Sequence, residues 1–101
     1  MTEYEIYLPT EDNNGSPIGE ETVEKIKQRL KDAYGGYTHL DQHNEGAWRM
    51  GNVTFRERVT ILRVLDNGKK SEDMAALKVE LEGLLKQEQI LIVKRIVDVL
   101  S

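Results

Sequence analysis

Tyr37-Thr38-His39-Leu40-Asp41-Gln42-His43-Asn44-Glu45-Gly46-Ala47-Trp48 holds both histidines and the only tryptophan of the chain. Read as extended backbone, its side chains alternate, so Tyr37, His39, Asp41, His43 and Glu45 share one face while Leu40 and Trp48 share the other. Gly51-Asn52 follows, a pair suited to a two-residue hairpin turn, and then the run Val53 to Leu65. Under that turn, opposed residues have numbers that sum to 103, as those of Gly51 and Asn52 do. Trp48 then faces Phe55, Glu45 faces Arg58, His43 faces Thr60 and His39 faces Val64. One side collects Leu40, Trp48, Met50, Val53, Phe55, Val59 and Ile61; the other collects His39, Asp41, His43, Glu45, Arg56, Arg58 and Thr60. Two independent alternations agree in one register, which is the pattern of a hairpin with one buried and one wet face. Glu57 and Arg63 are misfits on the apolar side and belong near its rim.

Outward from this hairpin the remaining elements fall into place. Glu3 to Leu8 alternates and stops at Pro9, which lacks a ladder donor, so it reads as a first strand. Thr10 to Pro17 has the Asp, Asn, Gly, Ser and Pro content of an irregular connection. From Glu20 to Tyr34, Val23, Ile26, Leu30 and Ala33 or Tyr34 recur at helical spacing, with Glu20, Glu21 and Glu24 early and Lys31 late, complementing the helix dipole. Gly35-Gly36 supplies a stop. After the Asp66-Asn67-Gly68 turn, Ser71 with Glu72 and Asp73 behind it opens a second helix whose stripe is Met74, Leu77, Leu81, Leu84 and Leu85, ending near Gln87. Gly83 within it implies close packing against the sheet. Ile90 to Leu100 is apolar on both faces and reads as a strand covered on both sides.

Strand, helix, strand, strand, helix, strand is the order of the ferredoxin-like sandwich: an α+β fold with an antiparallel sheet and both helices on one face. A chain of 101 residues is one such domain, spanning residues 1–101. The other sheet face carries apolar residues, which implies a homodimer that packs part of this open face or extends the sheet edge. Fourteen Lys and Arg against 18 Asp and Glu leave a net charge of -4, which argues against nucleic acid and anionic lipid as partners. The aromatic and basic pattern of the RNA-recognition motif is missing from Val59 to Val64. No cysteine occurs, which removes thiolate chemistry and fits a reducing compartment. The acidic N-terminus lacks the plan of a signal peptide, and no run is long enough to span a bilayer, so a cytoplasmic protein is expected.

Gly35-Gly36-Tyr37-Thr38, Gly46-Ala47-Trp48, the strand Phe55 to Val59 and the opening Tyr7-Leu8-Pro9 resemble short uncharacterised bacterial proteins patterned Gly-Gly-x-Thr and Gly-x-Trp. The resemblance covers most of the first 65 residues, rests on structural Gly and Trp, and implies a ferredoxin-like fold without an established activity. Some such proteins are encoded by orphan genes on mobile elements.

The wet face of the hairpin is where chemistry can sit. His39, Asp41 and His43 have a ligand spacing, but no second cluster closes a metal shell and Arg56 and Arg58 would repel a cation, so no metal and no cofactor are expected. A histidine beside Arg58 suits an anionic small molecule and a proton shuttle. The residues singled out are His39, Asp41, His43, Arg56 and Arg58, with Tyr7 and Tyr37 as stacking groups on the open face. Two functions compete: a binding or protein-interaction module that uses the open sheet face, and a small cofactor-free enzyme with His43 or His39 as general base. Against both stands a plain solvated face with Glu45 and Arg58 as a cross-strand ion pair.

Overall fold

The computed structural model describes residues 1–69 and 72–100, with the side chains of Trp48, Met50, Val53, Phe55, Arg56 and Glu57 outside that description. Its elements are β1 (Thr2–Pro9), α1 (Glu20–Tyr34), β2 (Thr38–Met50), β3 (Val53–Asp66), α2 (Met74–Leu85) and β4 (Ile92–Ile96). The four strands form one antiparallel sheet in the order β2-β3-β1-β4. This is the expected α+β, ferredoxin-like arrangement.

The periodicities explain the packing. Tyr4, Ile6 and Leu8 of β1 pair with Val64, Leu62 and Thr60 of β3, and Ile92 of β4 pairs with Ile6. Together with Ile26, Leu30 and Ala33 of α1 and Met74, Leu77, Leu81 and Leu85 of α2, the aliphatic members of this set form the core. The helices therefore cover the even-numbered residues of β1 and of the part of β3 that pairs with it. Arg29 ties the helices at their solvent edge, donating from Nη1 and Nη2 to Glu72 at 2.6 Å each and from Nε to Glu80 at 3.1 Å.

That face assignment reverses part of the sequence reading. Val59 and Ile61 lie on the side away from the helices, while Leu62 and Val64 are in the core. The alternation along β3 was correct; which side the helices would cover was not encoded in it, because β3 has apolar residues on both faces. Gly51 takes a left-handed φ of 60°, as a tight turn demands. The register holds from Asn44↔Val59 to Met50↔Val53 and then breaks. Between Leu40↔Ile61 and Asn44↔Val59, β2 advances four residues while β3 advances two, so β2 carries a two-residue bulge. His39 consequently pairs with Leu62 rather than Val64.

Three smaller expectations are corrected. The cap of α2 is Asp73, whose side chain accepts from the Ala75 amide at 3.0 Å; Ser71 lies outside the described residues. Gly83 is exposed, and a Cβ built there meets nothing within 4 Å, so it does not serve close packing against the sheet. The last strand is short and at the sheet edge, and coverage fails beyond Val93, with Ile96 78% and Leu100 99% exposed. The burial of Trp48 against Phe55 lies outside the described side chains, although the two residues are paired in backbone register.

Candidate functional site

β2 and β3 run on past Pro9, the last residue of β1 to pair with β3. Beyond that point the helix side of the hairpin is no longer closed by β1, and a cleft of about 610 Å³ opens between it, α1 and the connection that follows β1. α1 contributes Glu20, Val23, Glu24 and Lys27, whose spacings of three and four put them on one helix face. The sheet contributes His39, Asp41, His43, Arg58 and Thr60.

The third wall is an ordered loop. Asp12 Oδ1 accepts from the amides of Asn14 at 2.9 Å and Ser16 at 3.0 Å, and the Ile18 amide donates to the Thr10 carbonyl at 2.9 Å. The loop is pinned to β3 by the Thr10 amide on the Arg58 carbonyl, 3.1 Å, and to the end of α2 by Gln87 Nε2 on the Glu11 carbonyl, 2.6 Å. A second cavity of about 410 Å³ lies across Pro9, Thr10, Glu11 and Arg58, all of which also border the first. Arg58 thus stands between two lobes of one depression.

His39 is held in the wall of the cleft. Its side chain is 15% exposed, against 82% for Asp41. Nε2 lies 3.1 Å from Thr60 Oγ1 and 3.7 Å from Asp41 Oδ1. Burial lowers the pKa of His39 from its ordinary 6.5, the charge of Lys27 pushes the same way, and Asp41 and Glu24 pull against them. The lowered pKa favours the neutral imidazole, and Asp41 is the nearest carboxylate to offset the charge of the imidazolium.

The structure brings His39, Asp41, His43 and Arg58 together, as the sequence reading grouped them, but on the helix side rather than the open face. Tyr37 is corrected likewise: Lys27 Nζ stands 5.9 Å from its ring centroid, which places it toward α1. Tyr7 pairs with Ile61 on the open face, as expected, and so belongs to a different surface. The side chain of Arg56 lies outside the described set. Glu45 and Arg58 are opposed in register, yet no ion pair joins them, and the space Arg58 borders is the cleft.

Glu11, Glu20, Glu24, Lys27 and Thr60 were not among the residues singled out from sequence. The signal for the α1 members was the run Glu20, Glu24 and Lys27 flanking the apolar stripe, which reads equally as a solvated flank. Lys27 Nζ and Glu24 Oε1 are paired at 3.3 Å. Four carboxylates, those of Glu11, Glu20, Glu24 and Asp41, thus line the cleft with two cations, Lys27 and Arg58. Among the described residues no three of His, Asp and Glu converge as a metal site, and no helix is long and apolar enough to cross a membrane.

No protein-family model matches the chain, and no curated protein matches it. Among solved structures it is similar to a phage SAM lyase in complex with S-methyl-5'-thioadenosine, with a TM-score of 0.65 and 14% sequence identity. The match covers 93% of this chain and 79% of the lyase chain, and at that identity the likeness is one of fold.

Proposed function

We propose that the chain binds a small polar molecule in the cleft between α1 and the β2–β3 hairpin, and that neutral His39 acts there as a general base. The observation that carries this reading is the half-buried His39, hydrogen-bonded to Thr60 and opening on a cavity of about 610 Å³. A histidine held this way has the protonation state and the fixed position that proton abstraction requires. A structural role alone does not call for a cavity beside it, and pockets that combine a few convergent polar groups with a perturbed titratable residue are the usual form of small-molecule sites.

The charges suggest the ligand class. With Lys27 engaged by Glu24, the remaining carboxylates favour a positive centre and Arg58 favours one anionic end. A zwitterion that carries both suits the cleft better than the purely anionic molecule expected from the strand alone. SAM has a sulfonium, an ammonium and a carboxylate, and it is the molecule in the name of the structural neighbour, so it is the first compound to test.

Isothermal titration with SAM and with S-methyl-5'-thioadenosine, which lacks the amino-acid end, tests the reading. SAM is expected to bind, Arg58→Gln to weaken SAM about tenfold, equivalent to about 1.4 kcal/mol, and to leave S-methyl-5'-thioadenosine unchanged. His39→Ala is expected to retain SAM binding while abolishing any consumption of SAM followed by chromatography. If neither compound binds or perturbs the amide resonances of His39 and Thr60, the SAM assignment is wrong; if SAM is consumed equally by His39→Ala, the base assignment is wrong.

A further inference from the structure

The sheet face away from the helices carries a closed set of charges. Arg63 of β3 donates from Nη2 to Glu5 Oε1 at 2.9 Å, and its Nε stands 2.6 Å from Glu3 Oε1. The second contact is an ion pair rather than an aligned hydrogen bond, since Nε makes none. Arg95 of β4 places Nη1 2.9 Å from Glu5 Oε1 and 4.0 Å from Glu3 Oε2. Two guanidiniums and two carboxylates make a neutral group spread over three strands. Glu5 is only 7% exposed although no helix covers this face.

Apolar side chains surround the group. By register Tyr7, Ile61 and Leu40 lie toward one end of the face, Val93 stands opposite Glu5 and Leu65 opposite Glu3. Leu40 and Leu65 remain 36% and 41% exposed.

We infer that this face receives a second copy of the same chain, sheet face against sheet face. The chain carries a net charge of -4, so two copies repel one another over most of their surfaces. The charges of Glu3, Glu5, Arg63 and Arg95 sum to zero, so two copies can bring these groups together without that repulsion, as an isologous contact requires. Its carboxylates are already held by arginines of their own chain, so covering them leaves no unpaired charge behind, the condition under which burying charge is tolerated. Leu40, Leu65, Ile61 and Tyr7 supply apolar area that water now touches.

Light scattering coupled to gel filtration at 1 to 100 µM, a range chosen to span common dimer affinities, tests the inference on the full chain. The expected mass is twice the 11.6 kDa of one chain. Leu65→Glu and Leu40→Glu are each expected to halve it, with circular dichroism unchanged because both positions already meet solvent. Val79→Glu, on the outer surface of α2 and 69% exposed, is expected to leave the mass unchanged. A wild-type mass of one chain at the highest concentration overturns the inference, as does a doubled mass that survives both leucine variants or is halved by Val79→Glu alone. Should one leucine variant unfold, the other and Arg95→Glu, which breaks the neutrality of the group, decide the matter by the same readout.

Discussion

Thr60 Oγ1 lies 3.1 Å from His39 Nε2, and the contact exists because β2 carries two extra residues between Leu40 and Asn44. A regular hairpin from the Gly51 turn sets His39 opposite Val64. The bulge draws it two positions toward the turn, opposite Leu62 and diagonal to Thr60, at the mouth of the cleft rather than over the centre of the core. Shifts of two residues keep a side chain on the same face, so the bulge moves the imidazole along the sheet without turning it away.

Removing the hydroxyl tests how firmly that position is held. Thr60→Val preserves shape and removes the hydroxyl partner of a half-buried imidazole nitrogen, at a cost of about 1 kcal/mol. Urea unfolding monitored by circular dichroism measures the loss, and the imidazole nitrogen resonances of His39 should shift with it. Unchanged stability together with unchanged resonances would show that the contact contributes nothing.

Stability should also depend on pH through His39. Its folded pKa lies below the ordinary 6.5, so the unfolded chain takes up the proton first. The contribution is fully present above pH 6.5 and is lost as the pH falls from there through the folded value. His39→Asn, which cannot titrate, should lose less stability than wild type between pH 7.5 and pH 5.5, a window set to straddle the ordinary imidazole pKa. Equal losses in the two proteins would contradict the lowered pKa.

Glu5 behaves in the acidic range as His39 does near neutrality. Burial raises its pKa, but hydrogen bonds from Arg63 and Arg95 and their charges outweigh that and leave it below the ordinary 4.5. The stabilisation is present above pH 4.5 and disappears as the pH falls through the folded value. In a single chain Arg63 and Arg95 are themselves 39% and 47% exposed, so solvent screens the pairs. Glu5→Gln should therefore cost about 1 kcal/mol at pH 7 rather than the larger penalty of a fully buried pair. The gap from wild type should close below pH 4.5; a gap that stays constant with pH would assign the cost to packing instead.

Two positions in and after α2 are open to stabilising change. Gly83 has helical neighbours and free space where a Cβ would stand, so Gly83→Ala should raise stability by about 0.5 to 1 kcal/mol. Lys86 ends the helix with a left-handed φ of 52°, a conformation that favours glycine. Lys86→Gly should stabilise the chain by about 0.5 kcal/mol, since the strain of a β-carbon in that region is relieved at the expense of a freer unfolded chain. Thermal melts of the single and double variants measure both, and a lowered midpoint for Gly83→Ala would show that the helix surface there is in fact occupied.

The order and type of five elements were legible from a clear local period: alternation in Glu3 to Leu8 and in both arms of the hairpin, and spacings of three and four in α1 and α2. The last strand has no such period and was read from its β-branched, apolar composition, which overran its ends, Ile92 and Ile96. The grouping of His39, Asp41, His43 and Arg58 was legible for the same reason, since period two assigns residues to faces whatever the sheet packs against. Gly51-Asn52 fixed the turn and, with it, the register as far as Asn44. The bulge was invisible, because Asp41, Gln42 and His43 continue an acceptable alternation and nothing local marks where two residues drop out of the ladder.

What local pattern leaves open is which face meets the helices. β3 is apolar on both sides, with Val59 and Ile61 on one and Leu62 and Val64 on the other, so its own residues balance. The choice was made by β1, whose Ile6 and Leu8 pair with Leu62 and Thr60 while Glu3 and Glu5 stand with Leu65 and Arg63. Only the tertiary pairing sums these preferences over strands. It buries the side on which the aliphatic residues of β1 and β3 coincide, and it sends the ion group to the opposite face. The sequence by itself therefore determined that His39 and its neighbours share one face of the hairpin. The packing of α1 against the sheet decided that this set lines a cleft instead of an open surface, and brought Glu20, Glu24 and Lys27 to it.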